Sequence, residues 1–539
     1  MNLALLSPMP PPSMGTGPHW GSEFVTIEFF KALLRYAPFE QYHFFTADMD
    51  TAQRNYEALQ GAWLGAGKIE LHHVWHLPEV LARTPIHALH TTNNYLHRAV
   101  YGRTLVPGAT FPVTASAFQS LTFHGGMPEY GQDLVCGSRP GDRIAVMSDA
   151  MATVMGGYYD QAATTGLQGW SGPKQPPELR TIYPGIDVER MRPVPKSDWR
   201  SKLHLPDEAF VVLSLSRLSP SDKTDMQPIL RSFRDYLANE PAGERPVYLV
   251  ITGSDYANYG AAVLRWVQEY GLGERVRGLG NPPEAEKAAL LSAADCFISL
   301  PDNPQEAFGY SVLEAMACGV PIVAADWDGH KETVTEDVGF RVPTVWGPAM
   351  GRLDEISPLY WYMEATVMQL AAAQSVAIDL PAAWRAVERL RQDPGLARTM
   401  GAAARARAVA HFAWPTIIAQ YVAMWAGSAA LAAAAPLVTA PTMRWPIAFD
   451  SAYRHYASRW LDGAARVLAT ASAVDADLDS PYETVSHLIV PVLARQILAL
   501  ASSAVSLDSL IASLGQRPDT VYYHVLWLLK QGYLALDAA

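Results

Sequence analysis

The sequence has few cysteines, no excess of positive charge and no long uninterrupted apolar run. Its three cysteines, Cys136, Cys296 and Cys318, lie far apart without a CxxC pair. This spacing suits a reducing compartment and predicts no cysteine-bound metal. The formal net charge of −12 disfavours a nucleic-acid binder, because such proteins present a basic face. The first six residues lack the charged start of a signal peptide, and no window reaches the roughly 18 consecutive apolar residues of a membrane helix. We therefore expect a cytoplasmic protein without a membrane span.

The chain is long, and about half of its residues are hydrophobic. Its 539 residues are 49% hydrophobic, which is enough for about three domains with cores. Strand-like runs alternate with helical patterns, and this alternation predicts Rossmann-like parallel sheets. The runs in the first half are 3–6, 42–46, 69–74 and 111–114, and those in the second half begin with 210–216 and 246–252.

The most informative stretch runs from Cys296 to Val334. An apolar run is followed by a loop and then by a helical pattern that ends near Gly319. A second apolar run comes next, so the stretch predicts a strand, loop, helix and strand of a parallel sheet. The loop falls at the carboxyl end of a strand, where such sheets bind ligands.

Two carboxylates mark this loop and helix. Glu306 lies in the loop, and Glu314 lies eight positions later. Gly309 between them lets a backbone approach a ligand closely, and free amides at a helix start can hold a diphosphate. The two acids then need other partners, and sugar hydroxyls fit. The plain alternative is two acids that cap a helix and face water.

The residues around the two acids resemble a motif of a known family. EAFGYSVLEAMACGVPIVAAD closely resembles the donor-site motif of retaining glycosyltransferases of family four, which have the GT-B fold. The resemblance implies that Glu306 faces the donor sugar and Glu314 the nucleotide ribose. It also assigns to the donor site the segment Phe308, Gly309, Tyr310 and Ser311, whose amides would meet the diphosphate. The weaker similarity covers roughly the first 425 residues.

Two cations follow the strand-like run 210–216. Arg217 and Lys223 can neutralise a leaving diphosphate without a metal. The alternative is that both are solvated surface cations. The family carries an Arg and a Lys at nearly this spacing, although Ser216 stands where it commonly has glycine. Gly253 ends the next strand-like run, and the family's loop there borders the nucleotide.

Three further segments match the family in part. Gly21, in the loop GTGPHWGSEF, is expected to face the donor diphosphate, although Trp20 replaces the first of the family's paired glycines. His124 is the best match for a histidine beside the donor sugar, with a plain structural histidine as the alternative. The run from Asp328 to Glu332 resembles a glycine-rich turn and acid, with Asp328 in place of a glycine.

The expected domains follow from these matches. Residues 1–195 form an N-terminal acceptor domain that includes a crossover helix at 411–427, and residues 196–410 bind the donor, with a linker at about 191–206. Closing helices are predicted at 382–392, 400–412 and 414–425, followed by a linker at 428–443 and a helical stretch at 445–468. The extension 440–539 resembles a winged-helix module, with helices at 506–515 and 520–531 and a strand from 532.

This extension is poor in phosphate-binding cations. Arg495, Arg517 and Lys530 are matched by nearby acids, so we expect no nucleic-acid partner. Docking of a peptide or protein, or self-association, is the favoured role. Exposed contacts from Tyr522, Tyr523 and Trp527 would serve such docking, and a core role is the plain alternative.

The sequence as a whole predicts an α/β protein of GT-B fold, with two Rossmann-like domains facing a cleft and a mainly α winged-helix-like extension. The predicted function is retaining transfer of a sugar from a nucleotide-diphosphate sugar of the UDP or GDP type to a glycan, peptide or small molecule. Neither a cofactor nor a metal is expected. The alternatives are a GT-B epimerase, a phosphorylase (for which no pyridoxal phosphate lysine motif is found) and a regulatory scaffold with a degenerate transferase domain.

Overall fold

A computed structural model gives the fold of the chain. It describes residues 2–11, 21–59, 67–119, 126–240, 244–255, 258–304, 306–348, 351, 355, 365–435, 453–479, 486 and 488–537. The chain divides into two compact units, Met1–Met443 and Arg444–Ala539.

Seven parallel strands form the first sheet of the larger unit, in the order β3-β2-β1-β4-β5-β6-β7. The strands are largely apolar and buried, as in β1, where Leu3 and Leu5 are fully buried. The alternation predicted from sequence is confirmed, but β4 and β7 were not predicted, because two of the four residues of β4 and three of the four residues of β7 are polar. The bounds are β1 Asn2–Leu6, β2 Gln41–Thr46, β3 Lys68–His73, β4 Ala88–Thr91, β5 Val113–Ala117, β6 Arg143–Val146 and β7 Glu178–Thr181.

Six parallel strands form the second sheet of this unit, in the order β10-β9-β8-β11-β12-β13. The chain reverses its direction of winding between β8 and β11, and the carboxyl ends of strands at such a switch point are where open parallel sheets bind ligands. A small antiparallel pair, β14 Thr344–Val345 and β15 Ala377–Ile378, follows. The bounds of the six strands are β8 Phe210–Leu215, β9 Val247–Thr252, β10 Val276–Leu279, β11 Cys296–Ser299, β12 Ile322–Ala325 and β13 Gly339–Val342.

Helices connect the strands of both sheets. Those up to the donor motif and its following turn are α1 Gly21–Tyr36, α2 Met49–Leu59, α3 Leu77–Arg83, α4 His97–Thr104, α5 Gly126–Val135, α6 Asp149–Gln161, α7 Ser197–Lys202, α8 Met226–Leu237, α9 Tyr259–Glu269, α10 Lys287–Ala293, α11 Tyr310–Ala317 and α12 His330–Thr333. The later helices of the larger unit are Ala365–Ala373, Leu380–Gln392, Pro394–Phe412 and Trp414–Ala434. The expected linker at 191–206 therefore contains α7, and the one expected from 428 starts within a helix.

The helix Trp414–Ala434 packs against the first sheet. Tyr421 accepts a hydrogen bond from Ser116 on β5 at 2.9 Å, and the indole of Trp425 donates to Thr114 at 3.0 Å. The helix is long and apolar enough to cross a membrane, although only by length and composition. Pro415 and the polar residues that interrupt it keep it from being an uninterrupted apolar run. The contacts of its aromatic face are those of a helix that belongs to a protein core.

We call the part of the larger unit around the first sheet the first lobe and the part around the second sheet the second lobe. An ion pair lies inside the first lobe. Arg103 on α4 donates two hydrogen bonds to Asp142, at 2.6 and 2.8 Å, and both side chains are buried. Asp142 also accepts hydrogen bonds from the backbone amides of Val113 and Arg139, each at 2.7 Å. These contacts tie the start of β5 to the turn that precedes β6.

The smaller unit combines helices with a three-stranded antiparallel sheet of order β17-β16-β18. Its strands are β16 Arg466–Ala469, β17 Val505–Ser506 and β18 Leu534–Leu536, and its helices are Pro491–Leu500, Leu507–Leu514 and Pro518–Lys530. The two C-terminal helices and the strand after them agree with the sequence prediction. The winged-helix resemblance and a docking role stay predictions.

One sequence prediction for this unit is wrong. The described part of 445–468 contains one short 3-10 helix, Arg454–Tyr456, then bends, a turn at 463–464 and the start of β16, rather than a long helix. The reason is tertiary pairing: Val467 is fully buried while Arg466 and Leu468 are exposed, and β16 bonds to strands on both sides. A four-residue strand of this kind is too short to show its period in a sequence.

Candidate functional site

The candidate site lies in the loops that follow β8 and β11. Helix α11 begins directly after the second loop, with Gly309 as its N-cap at φ +82°. That left-handed conformation favours glycine. A β-carbon added at Gly309 would lie 2.2 Å from Nε2 of His330, so α12 closes tightly on the loop.

Glu306 is the buried carboxylate of this loop. Its Oε1 accepts a hydrogen bond from the amide of Gly309 at 2.9 Å, and its Oε2 contacts Nζ of Lys223 at 2.9 Å. Burial by itself raises the pKa of a carboxyl group, but the Lys223 ammonium and the Gly309 amide outweigh it and lower the pKa of Glu306 to about 2. The loop therefore holds a permanent anion whose charge is matched by one lysine.

The loop after β8 carries the two cations. Nζ of Lys223 points to Glu306, and the guanidinium of Arg217 contacts Oδ2 of Asp222 at 2.8 Å. Asn303, from the loop after β11, donates to the backbone carbonyl of Lys223 at 2.6 Å. The two loops are thus bonded to each other through both side chains and backbone.

Gly253 allows the backbone after β8 and the backbone after β9 to lie close together. It has φ +145°, and a β-carbon there would lie 1.7 Å from the carbonyl oxygen of Ser216. The amide of Leu218 donates to the carbonyl of Ser254 at 2.8 Å across the same gap. A glycine at 253 therefore lets the backbone bearing Arg217 lie against the end of β9.

Glu314 belongs to a second charged cluster. Its Oε1 contacts Nζ of Lys287 at 2.8 Å, and Lys287 also contacts Glu284 at 2.8 Å. Burial lowers the pKa of an amine, but the two carboxylates outweigh it and raise the pKa of Lys287. Arg190 joins this cluster by contacting Glu284 at 3.5 Å and Glu28 of α1 at 2.9 Å.

The two lobes of the larger unit meet at the start of α11 and at α12. The hydroxyl of Tyr310 donates to the carbonyl of Gly185 at 2.9 Å. The carboxylate of Glu332 accepts hydrogen bonds from the amides of Asp149 and Ala150, at 2.9 and 3.0 Å, at the N-terminus of α6. Ser148, the N-cap of α6, donates to the carbonyl of Ala307 at 3.2 Å. The loop that contains Glu306 therefore faces the first lobe.

His330 is a buried residue of this region that the sequence reading did not single out. Its side chain is fully buried, and neither ring nitrogen has a hydrogen-bond partner among the described residues. Burial lowers its pKa, so the ring is neutral. The position of His330 one residue after Gly329 in the glycine-rich turn was the available signal.

Comparison with protein families finds a match for this region. Residues 195–346, which contain both loops, match the family described as "Glycosyl transferases group 1". This region of the chain is therefore similar to the group 1 glycosyl transferases. The resemblance read from the motif is thereby confirmed at the level of the family.

Two curated proteins that this chain resembles are described as D-inositol 3-phosphate glycosyltransferases. A D-inositol 3-phosphate glycosyltransferase of Saccharomonospora viridis is 29% identical over 220 residues, which are 39% of this chain and 47% of the relative. One from Thermobispora bispora is 30% identical over 187 residues, 33% of this chain and 43% of the relative. The chain thus spans less than half the length of these relatives.

Solved structures show the fold around the domain. The Anabaena Alr3699/HepE structure in complex with UDP has a TM-score of 0.52 at 20% identity, covering 78% of this chain and 98% of that one. A glycosyltransferase from Rickettsia africae has a TM-score of 0.54 at 14% identity, covering 79% and 98%. The fold is GT-B, as the sequence predicts.

The group 1 domain brings some of the predicted site residues together and separates others. Lys223, Glu306 and Gly309 form one contact group, with Arg217 in the same loop as Lys223. Glu314 contacts Lys287 instead, in the neighbouring cluster that reaches α1. Gly21 is the first residue of α1. His124 lies outside the described residues.

Two expectations for the motif change with the geometry. The ring of Phe308 is buried, and its centroid lies 6.0 Å from that of Tyr183 and 6.2 Å from that of Phe412. The side chain of Phe308 is therefore part of the core. The amide of Gly309 donates to Glu306 rather than standing free for a diphosphate. Among the first amides of α11, those of Tyr310 and Ser311 have no carbonyl of their own helix to bind.

Gly309→Ala should lower the free energy of unfolding by about 2–3 kcal/mol, because it combines a strained φ with the contact on His330. Gly271→Ala is the matched control, since Gly271 has φ +69° and open space around its β-carbon position. We expect the control to cost about 1 kcal/mol. The midpoints of thermal unfolding measure both, and equal losses would show that α12 does not close on Gly309.

Proposed function

We propose that the chain is a retaining glycosyltransferase that moves a sugar from a nucleotide-diphosphate sugar to an acceptor. One observation carries this proposal: the ammonium of Lys223 and the carboxylate of Glu306 lie 2.9 Å apart where α11 begins, at the switch point of a parallel sheet. The match of residues 195–346 to the group 1 glycosyl transferases supports it. The UDP in the Alr3699/HepE structure supports a uridine nucleotide as the first donor to try.

The chemistry of the proposal concerns charge on the leaving group. Breaking the bond between the sugar and the diphosphate places negative charge on the diphosphate oxygens. Lys223 and Arg217, with the amides of Tyr310 and Ser311, would receive that charge when the donor displaces part of the ion pair with Glu306. Glu306 would then accept hydrogen bonds from hydroxyls of the transferred sugar. In this mechanism side chains, rather than a metal ion, stabilise the leaving group.

The remaining roles follow the family resemblance. Glu314, held by Lys287, would bind the ribose hydroxyls, and the acceptor would enter from the first lobe. The relatives named as D-inositol 3-phosphate glycosyltransferases make a phosphorylated polyol a reasonable first acceptor to test. The buried, unpaired thiols of Cys136, Cys296 and Cys318 support a cytoplasmic site for the reaction.

A panel of nucleotide sugars tests the proposal. The purified chain should release the nucleoside diphosphate from one donor at a rate above buffer, with retention at the anomeric carbon of the product. Glu306→Gln should lower this rate about 10- to 100-fold, since hydrogen bonds to a charged group contribute about 1.5–3 kcal/mol. Glu336→Gln, an exposed glutamate in the same domain, is the control and should leave the rate unchanged.

Two results would contradict the proposal. No release from any donor by the folded wild-type chain, or equal release by the wild type and Glu306→Gln, would favour the regulatory scaffold. Product of inverted configuration would reject retention while keeping sugar transfer.

A further inference from the structure

Three side chains of metal-ligating type meet at the edge of the first sheet, in the lobe that does not contain β8 and β11. His43 lies on β2, while Glu70 and His72 lie on β3, the edge strand. His43 is in register with Glu70, and His72 follows Glu70 by two residues. Because side chains alternate along a strand, all three lie on one face of the sheet. That face is the one opposite α1, since the neighbouring Tyr42 donates its hydroxyl to the carbonyl of Leu33 on α1.

The three ligand atoms form a nearly regular triangle. Nδ1 of His43 lies 3.1 Å from Nε2 of His72 and 3.3 Å from Oε2 of Glu70. The third side, between Nε2 of His72 and Oε2 of Glu70, is 3.5 Å. Zinc bonds of 2.0–2.1 Å in a tetrahedral site place neighbouring ligand atoms about 3.3 Å apart. The triangle therefore has the dimensions of one face of a tetrahedral zinc site.

The placement of the three groups also favours an ion. The two imidazole nitrogens face each other, and each lies within 3.5 Å of the same carboxylate oxygen of Glu70. A divalent cation would be bound by both nitrogens and the carboxylate at once.

Neighbouring side chains hold these groups in position. Nε2 of Gln41 donates to Oε1 of Glu70, which leaves Oε2 directed at the ring nitrogens. The ring of Phe45 stacks on His72 with centroids 5.1 Å apart, and the rings of His43 and His72 stack at 5.3 Å. Outer partners of this kind orient the ligands of protein-bound metals.

We propose that His43, Glu70 and His72 bind one divalent ion of the zinc class, with water in the fourth position. Imidazole nitrogens suit Zn²⁺, Ni²⁺ and Cu²⁺, and one carboxylate completes a common zinc ligand set. The ligands come from two strands, so the ion ties the edge strand β3 to β2. This site departs from the expectation of no metal, which rested on cysteine spacing and did not consider histidines on neighbouring strands.

Equilibrium dialysis of the tag-free, full-length chain against Zn²⁺, followed by elemental analysis, tests the site. We expect a high-affinity Zn²⁺ ion in the wild type, and Co²⁺ in its place should give the visible absorption of a tetrahedral centre. Glu70→Gln and His72→Gln should each weaken Zn²⁺ binding by at least about tenfold, which is the effect of removing even an outer partner. Gln41→Ala, which removes an outer partner, should weaken it to a smaller extent.

Controls separate this site from adventitious binding by the other histidines of the chain. His76→Gln changes an exposed histidine close in sequence and should leave the affinity unchanged. Zn²⁺ should raise the thermal midpoint of the wild type and of His76→Gln, but not that of His72→Gln. Equal affinity in the wild type, Glu70→Gln and His72→Gln would overturn the proposal, as would a folded wild-type chain that binds no Zn²⁺.

Discussion

Lys223→Met should lower kcat for sugar transfer by about 10²- to 10³-fold, the loss typical of removing one preorganised group that stabilises charge in a transition state. The methionine keeps an unbranched side chain that ends at the ε-carbon, and it removes the ammonium that the leaving diphosphate would meet. Because that charge develops during bond breaking, the loss should fall on kcat more than on KM. Steady-state rates with the donor found active in the panel measure both constants.

The control for this variant is another lysine in a glutamate pair. Nζ of Lys202 lies 2.7 Å from Glu286, but both side chains are exposed. Lys202→Met should leave kcat and KM unchanged. If Lys223→Met raises KM and leaves kcat unchanged, Lys223 binds the donor in the ground state and does not stabilise the leaving group.

The ion pair gives a second, linked expectation. Without Lys223, the buried carboxylate of Glu306 loses its main stabilising charge, so its pKa rises. Lys223→Met combined with Glu306→Gln should therefore cost less than the product of the two single losses. Full multiplicativity would mean that the two residues act independently in the reaction.

Asp142→Ala should lower the free energy of unfolding of the larger unit by about 3–5 kcal/mol, because it leaves the buried guanidinium of Arg103 without its carboxylate. The amides of Val113 and Arg139 lose an acceptor in the same change. Denaturant unfolding followed by tryptophan fluorescence measures the loss.

A neighbouring pair provides the matched control. Arg143 and Glu178 lie 2.9 Å apart, but the Glu178 side chain is half exposed. Glu178→Ala should cost no more than about 1 kcal/mol, as exposed pairs usually do. Comparable losses in the two variants would mean that burial does not decide the importance of the Arg103 pair.

The sequence predicts the sheets of this protein well because their strands are apolar runs. The run at 210–216 and the motif from Cys296 indicate strands, and the structure has β8 and β11 there. Strands that owe their place to partners are harder to foresee. Two of the four residues of β4 are polar. The strand β16 is short, pairs with a strand on each side, and lies in a stretch whose sequence predicts a helix.

The site shows the same division between local and long-range information. The motif itself names Glu306, Gly309 and Glu314, since their spacing is local. The pairing of Arg217 with Asp222, and of Glu314 with Lys287, depends on how loops and helices meet. The triangle of His43, Glu70 and His72 depends on the register between two strands, which no single-strand pattern contains.

The contact between Glu332 and α6 has a consequence for how the lobes hold together. The donors on the first lobe are the main-chain N–H groups of Asp149 and Ala150, whose side chains take no part. Substitution at either position, short of proline, keeps these backbone N–H donors, whereas substitution of Glu332 removes their acceptor. Variation at Glu332 would thus remove two hydrogen bonds between the lobes and leave those of Tyr310 and Ser148.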